Sequence, residues 1–179
     1  MIDEQATRVR LILFDVDGVL TDGTLILHGD GSESKVFDIK DGTGIVWAQR
    51  IGLQVGFLSA RSSAATAQRA TQLGITLLHQ GVANKLEAYE QIADSLMLDD
   101  EEIAYMGDDI LDLPVLARVG LATAPADAAD DVRRRVHWVA KAKGGAGAAR
   151  ELIELILKAQ DRWDGVLATY LTAPQGRQP

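Results

Sequence analysis

The stretch "RVRLILFDVDGVLTDG", residues 8 to 23, constrains this chain more than any other. Five of the six residues from Val9 to Phe14 are apolar, and two aspartates separated by one residue, Asp15 and Asp17, follow at once. A run so short and so apolar predicts a strand buried on both faces, as strands of a parallel sheet are. Its end then places two carboxylates at the lip of a core, where charge needs compensation.

The rest of the chain alternates short apolar runs with amphipathic segments, a pattern that predicts an α/β fold with a doubly wound, mostly parallel, Rossmann-like sheet. Strands are expected at 9–15, 53–59, 75–78, 103–107, 119–122 and 136–139, and helices at 43–51, 62–73, 84–97, 110–118, 127–133 and 147–160. Between the first strand and the first helix, "TLILHGDGSESKVFDI" carries two β-prone runs around "GDGSE" and reads as a β-hairpin insertion spanning about 24–39. It is either a surface ornament or a device for assembly or substrate enclosure. A length of 179 residues suits one domain, expected over 1–161. The stretch 162–179 gathers Pro, Gly and Gln and is expected to be a flexible tail. The glycines of "KAKGGAGAAR" match no dinucleotide fingerprint and read as a mobile loop entering the last helix.

Composition excludes several classes of function. The chain has no cysteine, which removes disulfides, thiolate metal sites and cysteine nucleophiles, and makes a cytoplasmic location the default expectation. A formal net charge of -8 argues against a nucleic-acid partner, whose binding rests on neutralising phosphates. No apolar run approaches the ~18 residues of a membrane span, and "MIDEQATRVR" does not read as a secretory signal.

In open α/β sheets, ligands sit beyond the carboxyl ends of the strands. Four polar signals fall at such ends: Asp15 and Asp17 after the first strand, Ser59 and Arg61 after the second, Lys85 opening the helix after the third, and Asp108 and Asp109 after the fourth. Each has a bland alternative: a turn cap for an aspartate, a cap on the helix near Ser62 for Ser59, a solvated helix residue for Lys85. Their coincidence favours chemistry. Asp108, Asp109 and Asp112 of "MGDDILD" would bring more carboxylates to the same sheet end, and like charges at ~4 Å and effective ε ~20 repel by several kcal/mol. A cation must compensate. Oxygen ligands without His or Cys suit Mg²⁺, held by Asp15, Asp17 (through its backbone carbonyl) and Asp108. His28, His79 and His137 share no metal spacing and receive no role.

"DVDGVLTDG" resembles the first motif of the haloacid dehalogenase superfamily, Ser59 its second, Lys85 its third and "GDDILD", following Gly107, its fourth. The resemblance implies that Asp15 is a nucleophile toward a phosphate ester, that Asp17 is the general acid and base, and that Ser59, Lys85 and Mg²⁺ stabilise the transferring group, with Gly107, Asp109 and Asp112 in support. Neither the 44 positions from Asp15 to Ser59 nor the 26 from Ser59 to Lys85 leave room for a cap domain. The longer stretch "DVDGVLTDGTLILHGDGSESKVFDIKDGTGI", with "GDDILDLPVL" and "KGGAGAARELIELIL", is similar to the family of 3-deoxy-D-manno-octulosonate 8-phosphate phosphatases. That likeness implies a homotetramer in which hairpins meet and a tail covers a neighbouring site. It also implies a small sugar-acid phosphate as substrate, contacted by Arg61, Lys40, Asp41 and Arg150.

One departure is Ala60, where the second motif more often has glycine; its methyl either tightens the pocket or is harmless at negative φ. Three rivals stay open: a phosphatase for nine-carbon sialic-acid-type 9-phosphates, a noncatalytic oligomerisation module, and a phosphoacceptor receiver domain, whose acceptor usually follows an interior strand rather than the first.

Overall fold

The computed structural model describes residues 2–171. Its centre is a six-stranded, all-parallel sheet of β1 (Leu11–Phe14), β4 (Gln54–Leu58), β5 (Leu77–His79), β6 (Ile103–Met106), β7 (Leu121–Ala124) and β8 (Trp138–Val139), in the order β5-β4-β1-β6-β7-β8. Strand β1, which leads into Asp15, is therefore central, with β4 on one side and β6 on the other. Every residue of β1 is buried, and alternation divides it between two cores. Ile12 and Phe14 join Val55, Phe57 and Met106 beneath α2 (Ile39–Arg50) and α7 (Ala148–Ala159). Leu11 and Leu13 join Leu58, Ile103 and Tyr105 beneath α4 (Lys85–Leu96) and α5 (Leu113–Leu116). The doubly wound α/β architecture follows, with α3 (Ala64–Gln72) and α6 (Asp130–Arg133) completing the crossovers.

Several elements differ from their expected form. Residues 2–8 form α1 (Ile2–Arg8), which the sequence did not announce because Ala6 is its only buried residue. The segment expected as one helix at 110–118 splits into a 3₁₀ turn, Ile110–Asp112, and the short α5, with Pro114 in its first turn. Helix α2 begins four residues early because Asp38 caps it, accepting from the amides of Lys40 and Asp41. The hairpin contracts to two-residue strands, β2 (Ile26–Leu27) and β3 (Glu33–Ser34), paired antiparallel apart from the main sheet.

The stretch expected as a flexible tail contains a helix, α8 (Trp163–Leu171), while 172–179 lie outside the described residues. Aromatic packing holds α8 in place. Trp163 and Tyr170 stand edge-on to Trp47 of α2 at 5.6 and 5.8 Å, and Trp47 Nε1 donates to the Tyr170 hydroxyl at 2.7 Å. Trp47 thus packs in an interhelical contact, and Trp138, partly buried, packs against the core.

The glycine-rich loop before α7 is packed rather than free. Gly145 N donates to Val19 O at 2.9 Å, and a Cβ on Gly144 would fall 1.9 Å from the carbonyl oxygen of Gly18. Gly144→Ala should therefore destabilise the fold by about 1–3 kcal/mol in urea unfolding. Gly29→Ala, where a Cβ meets nothing within 4 Å, should stay within about 0.5 kcal/mol.

Candidate active site

Four loops leave the carboxyl ends of the adjacent parallel strands β5, β4, β1 and β6, and their polar side chains converge there. Asp15 continues β1 and is held in line by its amide, which donates to Met106 O at 3.0 Å. Lys85 is the first residue of α4, placed by Asn84, whose side chain accepts from Glu87 N. The Lys85 ammonium lies 3.0 Å from Asp15 Oδ1 and donates to Asp112 Oδ1 at 2.6 Å and to the Tyr105 hydroxyl at 3.3 Å. All four side chains are buried or nearly so. Burial opposes the charge on Lys85, but Asp15 and Asp112 outweigh it and hold its pKa above that of an ordinary lysine.

Asp112 organises the β6 loop. Its Oδ2 accepts from the amides of Asp108 and Asp109 at 2.9 and 3.2 Å, and its Oδ1 also accepts from the Tyr105 hydroxyl at 2.6 Å. Gly107 is required by that turn, because a Cβ there would sit 2.5 Å from the Asp112 side chain. Asp109 caps the 3₁₀ turn by accepting from Ile110 N. Asp108 presses on the first loop: a Cβ on Gly18 would lie 2.0 Å from Asp108 Oδ2, so its carboxylate neighbours the Asp17–Gly18 peptide.

Ser59 directly follows β4, buried, and its hydroxyl accepts from Arg61 N at 3.3 Å. It does not cap α3. Ser63 does, accepting from Thr66 N, which leaves the Ser59 hydroxyl at the strand end. Ala60 is not among the residues with positive φ, so its methyl brings no backbone strain. Arg61, half-exposed, has Nε 3.8 Å from Asp17 Oδ2 and donates from Nη2 to Glu33 Oε2 at 3.0 Å.

Three residues expected to touch substrate form a separate cluster on α2 and α7. Asp41 accepts from Gly147 N and Arg150 N at 3.3 and 2.8 Å, so both its carboxylate oxygens serve the start of α7. Arg150 stacks 3.9 Å above Trp47 and donates to Glu154 Oε1 at 2.8 Å. Lys40 is exposed beside them, its carbonyl facing Arg150 Nη1. His28 bonds Ser34 and His137 accepts from Ala122 N, both local structural contacts. Sequence reasoning passed over Tyr105, whose inward hydroxyl is invisible in an apolar run, and Lys35, whose Nζ donates to Asp17 Oδ1 at 2.5 Å. The alternation of "ESK", which puts Glu33 and Lys35 on one side of an extended segment, was the available signal.

Carboxylate oxygens of Asp15, Asp108 and Asp112 lie within 4.8 Å of one another. An all-oxygen group of this kind fits a hard divalent cation such as Mg²⁺. Both oxygens of Asp112 are engaged by Lys85, Tyr105 and the two amides, whereas Lys85 meets Asp15 at Oδ1, which leaves Asp15 and Asp108 as the carboxylates that face such an ion.

A family model for haloacid dehalogenase-like hydrolases matches residues 57–152. Over 162 residues the chain is 41% identical to a 3-deoxy-D-manno-octulosonate 8-phosphate phosphatase of Yersinia pestis, covering 90% of this chain and 87% of that one. The chain belongs to the haloacid dehalogenase-like hydrolases. Among solved members of this family, the phosphatase of that name from Moraxella catarrhalis, in complex with magnesium ion, phosphate ion and KDO, superimposes with a TM-score of 0.92 at 35% identity, covering 94% of this chain and 97% of that one. The cobalt-bound phosphatase from Haemophilus influenzae gives 0.85 at 38%, covering 88% and 92%. As in the sequence reading of this hydrolase, no cap domain interrupts the described residues.

Burial and neighbouring carboxylates raise two of the site's acids. Asp15 is pushed up to about 6 by burial, with Asp112 adding and Lys85 opposing, and Asp108 to about 8 by burial, then Asp15 and Asp112. Both lie above the ~4 of an unfolded aspartate. Between those values the metal-free folded protein keeps protons that the unfolded chain has released. Their contribution to stability is therefore full below about pH 4 and is lost as pH rises through about 6 and then about 8. With chelator present, the thermal unfolding midpoint should fall from pH 5 to pH 8.5, and Mg²⁺ should raise it most at the alkaline end, where it meets ionised ligands. A midpoint indifferent to Mg²⁺ at pH 8.5 would contradict the assignment of these carboxylates.

Proposed function

We propose that this hydrolase cleaves 3-deoxy-D-manno-octulosonate 8-phosphate to the free sugar acid and phosphate, with Mg²⁺ and through an aspartyl-phosphate on Asp15, in lipopolysaccharide sugar biosynthesis. The observation that carries the reading is the buried Lys85 ammonium bridging Asp15 and Asp112 beside Asp108, in a chain so similar to phosphatases of that name.

Asp15 attacks phosphorus while the bond from phosphorus to the sugar oxygen breaks, and Asp17 supplies the proton that the leaving alcohol needs. Water then attacks the acyl phosphate. Asp17 takes its proton, phosphate departs and Asp15 is restored. The Ser59 hydroxyl and the Lys85 ammonium face the transferring group and stabilise its charge. Asp15, Asp108 and the Asp17 carbonyl would hold Mg²⁺, which when bound offsets the negative charge shared by phosphate and carboxylates.

For the sugar acid, the reading retains Arg61, whose half-exposed fork stands beside Asp17, and the exposed Lys40. Asp41 and Arg150 are instead assigned to the α2–α7 contact, since their polar atoms are already engaged there. The same reading takes 1–161 as one catalytic domain in the cytoplasm. It also takes the chain as a homotetramer, supported by the hairpin region, which leaves Ile26, Leu27, Val36 and Ile39 exposed on a single chain, Leu27 at 73%.

Phosphate release from 3-deoxy-D-manno-octulosonate 8-phosphate, measured beside nine-carbon sugar-acid 9-phosphates, should favour the eight-carbon substrate and vanish with chelator. Preference for a nine-carbon substrate would keep the mechanism and change the pathway. No release from any of them would favour the noncatalytic module. Asp15→Asn should lower activity by about 10³-fold or more. Sedimentation should give a four-chain mass, and Leu27→Asp should shift it to smaller species.

A further inference from the structure

The hairpin reaches the site through two side chains that the mechanism above does not use. Lys35 has a side chain with 0% exposure. Its Nζ donates to Asp17 Oδ1 at 2.5 Å and stands 3.8 Å from Glu33 Oε1. Arg61 comes from the other side, at the end of β4, and joins the same two carboxylates. Cations and carboxylates thus alternate around Asp17.

Covering an ammonium is costly unless it is closely paired. Stability of the hairpin does not account for one here, since its strands are two residues long and Ile26, Leu27 and Val36 remain exposed. What the arrangement does is distinguish the two oxygens of Asp17. Oδ1 is anchored by Lys35, whereas Oδ2 is buried and has no hydrogen-bond partner among the described residues. A group that hands a proton to a substrate oxygen needs this: one oxygen shielded from water and free, with its twin fixed so that the free one points consistently. Arg61 Nε, at 3.8 Å from Oδ2, is too distant to occupy it. Glu33 braces the group from behind, its own Oε2 tied to Arg61 and its Oε1 beside Lys35.

We propose that Lys35 is a positioning residue for Asp17, so that the hairpin contributes to proton transfer as well as to whatever assembly it serves. The inference rests on the reading of Asp17 as the general acid, and the experiment separates the two. A merely structural lysine would affect all substrates alike. A lysine that aims the proton donor matters only where the leaving group needs a proton.

The variants Lys35→Met and Asp17→Asn are compared with the unaltered enzyme in kcat/KM for 3-deoxy-D-manno-octulosonate 8-phosphate, an alkyl ester, and for p-nitrophenyl phosphate, whose leaving group departs without protonation. In kcat/KM the readout ends with phosphoryl transfer to Asp15, the step that expels the leaving group. General acid catalysis is worth about 10²–10⁴-fold, so Asp17→Asn should lose about that on the alkyl ester. Lys35→Met should lose about 10–100-fold on it, and both should lose less than about 3-fold on the aryl ester. Equal losses on both esters in Lys35→Met, or none on either, would overturn the inference while a selective loss in Asp17→Asn left the reading of Asp17 standing. No selective loss in Asp17→Asn would remove both. Should Lys35→Met fail to fold, Lys35→Gln, which keeps a polar head without the charge, decides in the same terms.

Discussion

The arrangement depends on one buried cation. Lys85 closes a gap between Asp15, on the central strand, and Asp112, on the loop of its neighbour, and without it two nearly buried carboxylates would face each other across a few ångströms of low-dielectric interior. Removing one partner of a buried pair leaves an uncompensated charge, which is why such residues are harder to replace than surface ion pairs. Asp112 satisfies the remainder of its valence with two amides and the Tyr105 hydroxyl, so its position is fixed by four donors. Asp15 and Asp108 are less satisfied, and burial first, then the neighbouring carboxylates, push them up to about 6 and about 8. The site is thus electrostatically incomplete in a specific direction, toward a hard cation and an anion brought with it.

The parallel sheet is what brings these groups to one place. All six strands run the same way, so every loop that follows a strand emerges at the same end. With β1 at the centre, Asp15 stands between Ser59 on one neighbour and Asp108 on the other. Helices on both faces supply the burial that makes the charges interact strongly. The glycine-rich loop before α7 packs against the loop carrying Gly18 and Val19, which couples the last long helix to the first motif.

A hydrolase without a cap must obtain its substrate-facing surface elsewhere. In this chain the hairpin contributes Glu33 and Lys35 to the surroundings of Asp17, and Arg61 completes them. Between α2 and α7, Asp41 holds the start of α7 while Arg150 lies in an aromatic contact with Trp47, to which α8 also docks through Trp163 and Tyr170. These are two distinct clusters with different partners, one beside the carboxylates and one between helices.

The linear order of residues determined the α/β class and the four strand-end positions, because each signal is local: an apolar run of strand length, then a polar residue where the run stops. It also showed Ser59, Lys85 and the "GDDILD" aspartates, since a polar residue at the end of a buried strand has few structural reasons to be there. It did not announce α1, which buries only Ala6, it took the stretch of α8 for a flexible tail because that helix is held by aromatic packing on α2, and it placed α2 late because the cap at Asp38 lies ahead of the apolar run. Only the tertiary structure decided that Asp41 serves α7, more than a hundred positions away, and that Lys35 belongs to Asp17. The physical reason is common to both. Charged side chains choose partners by distance and burial, which are set when helices and loops pack, and neither quantity can be read along the chain.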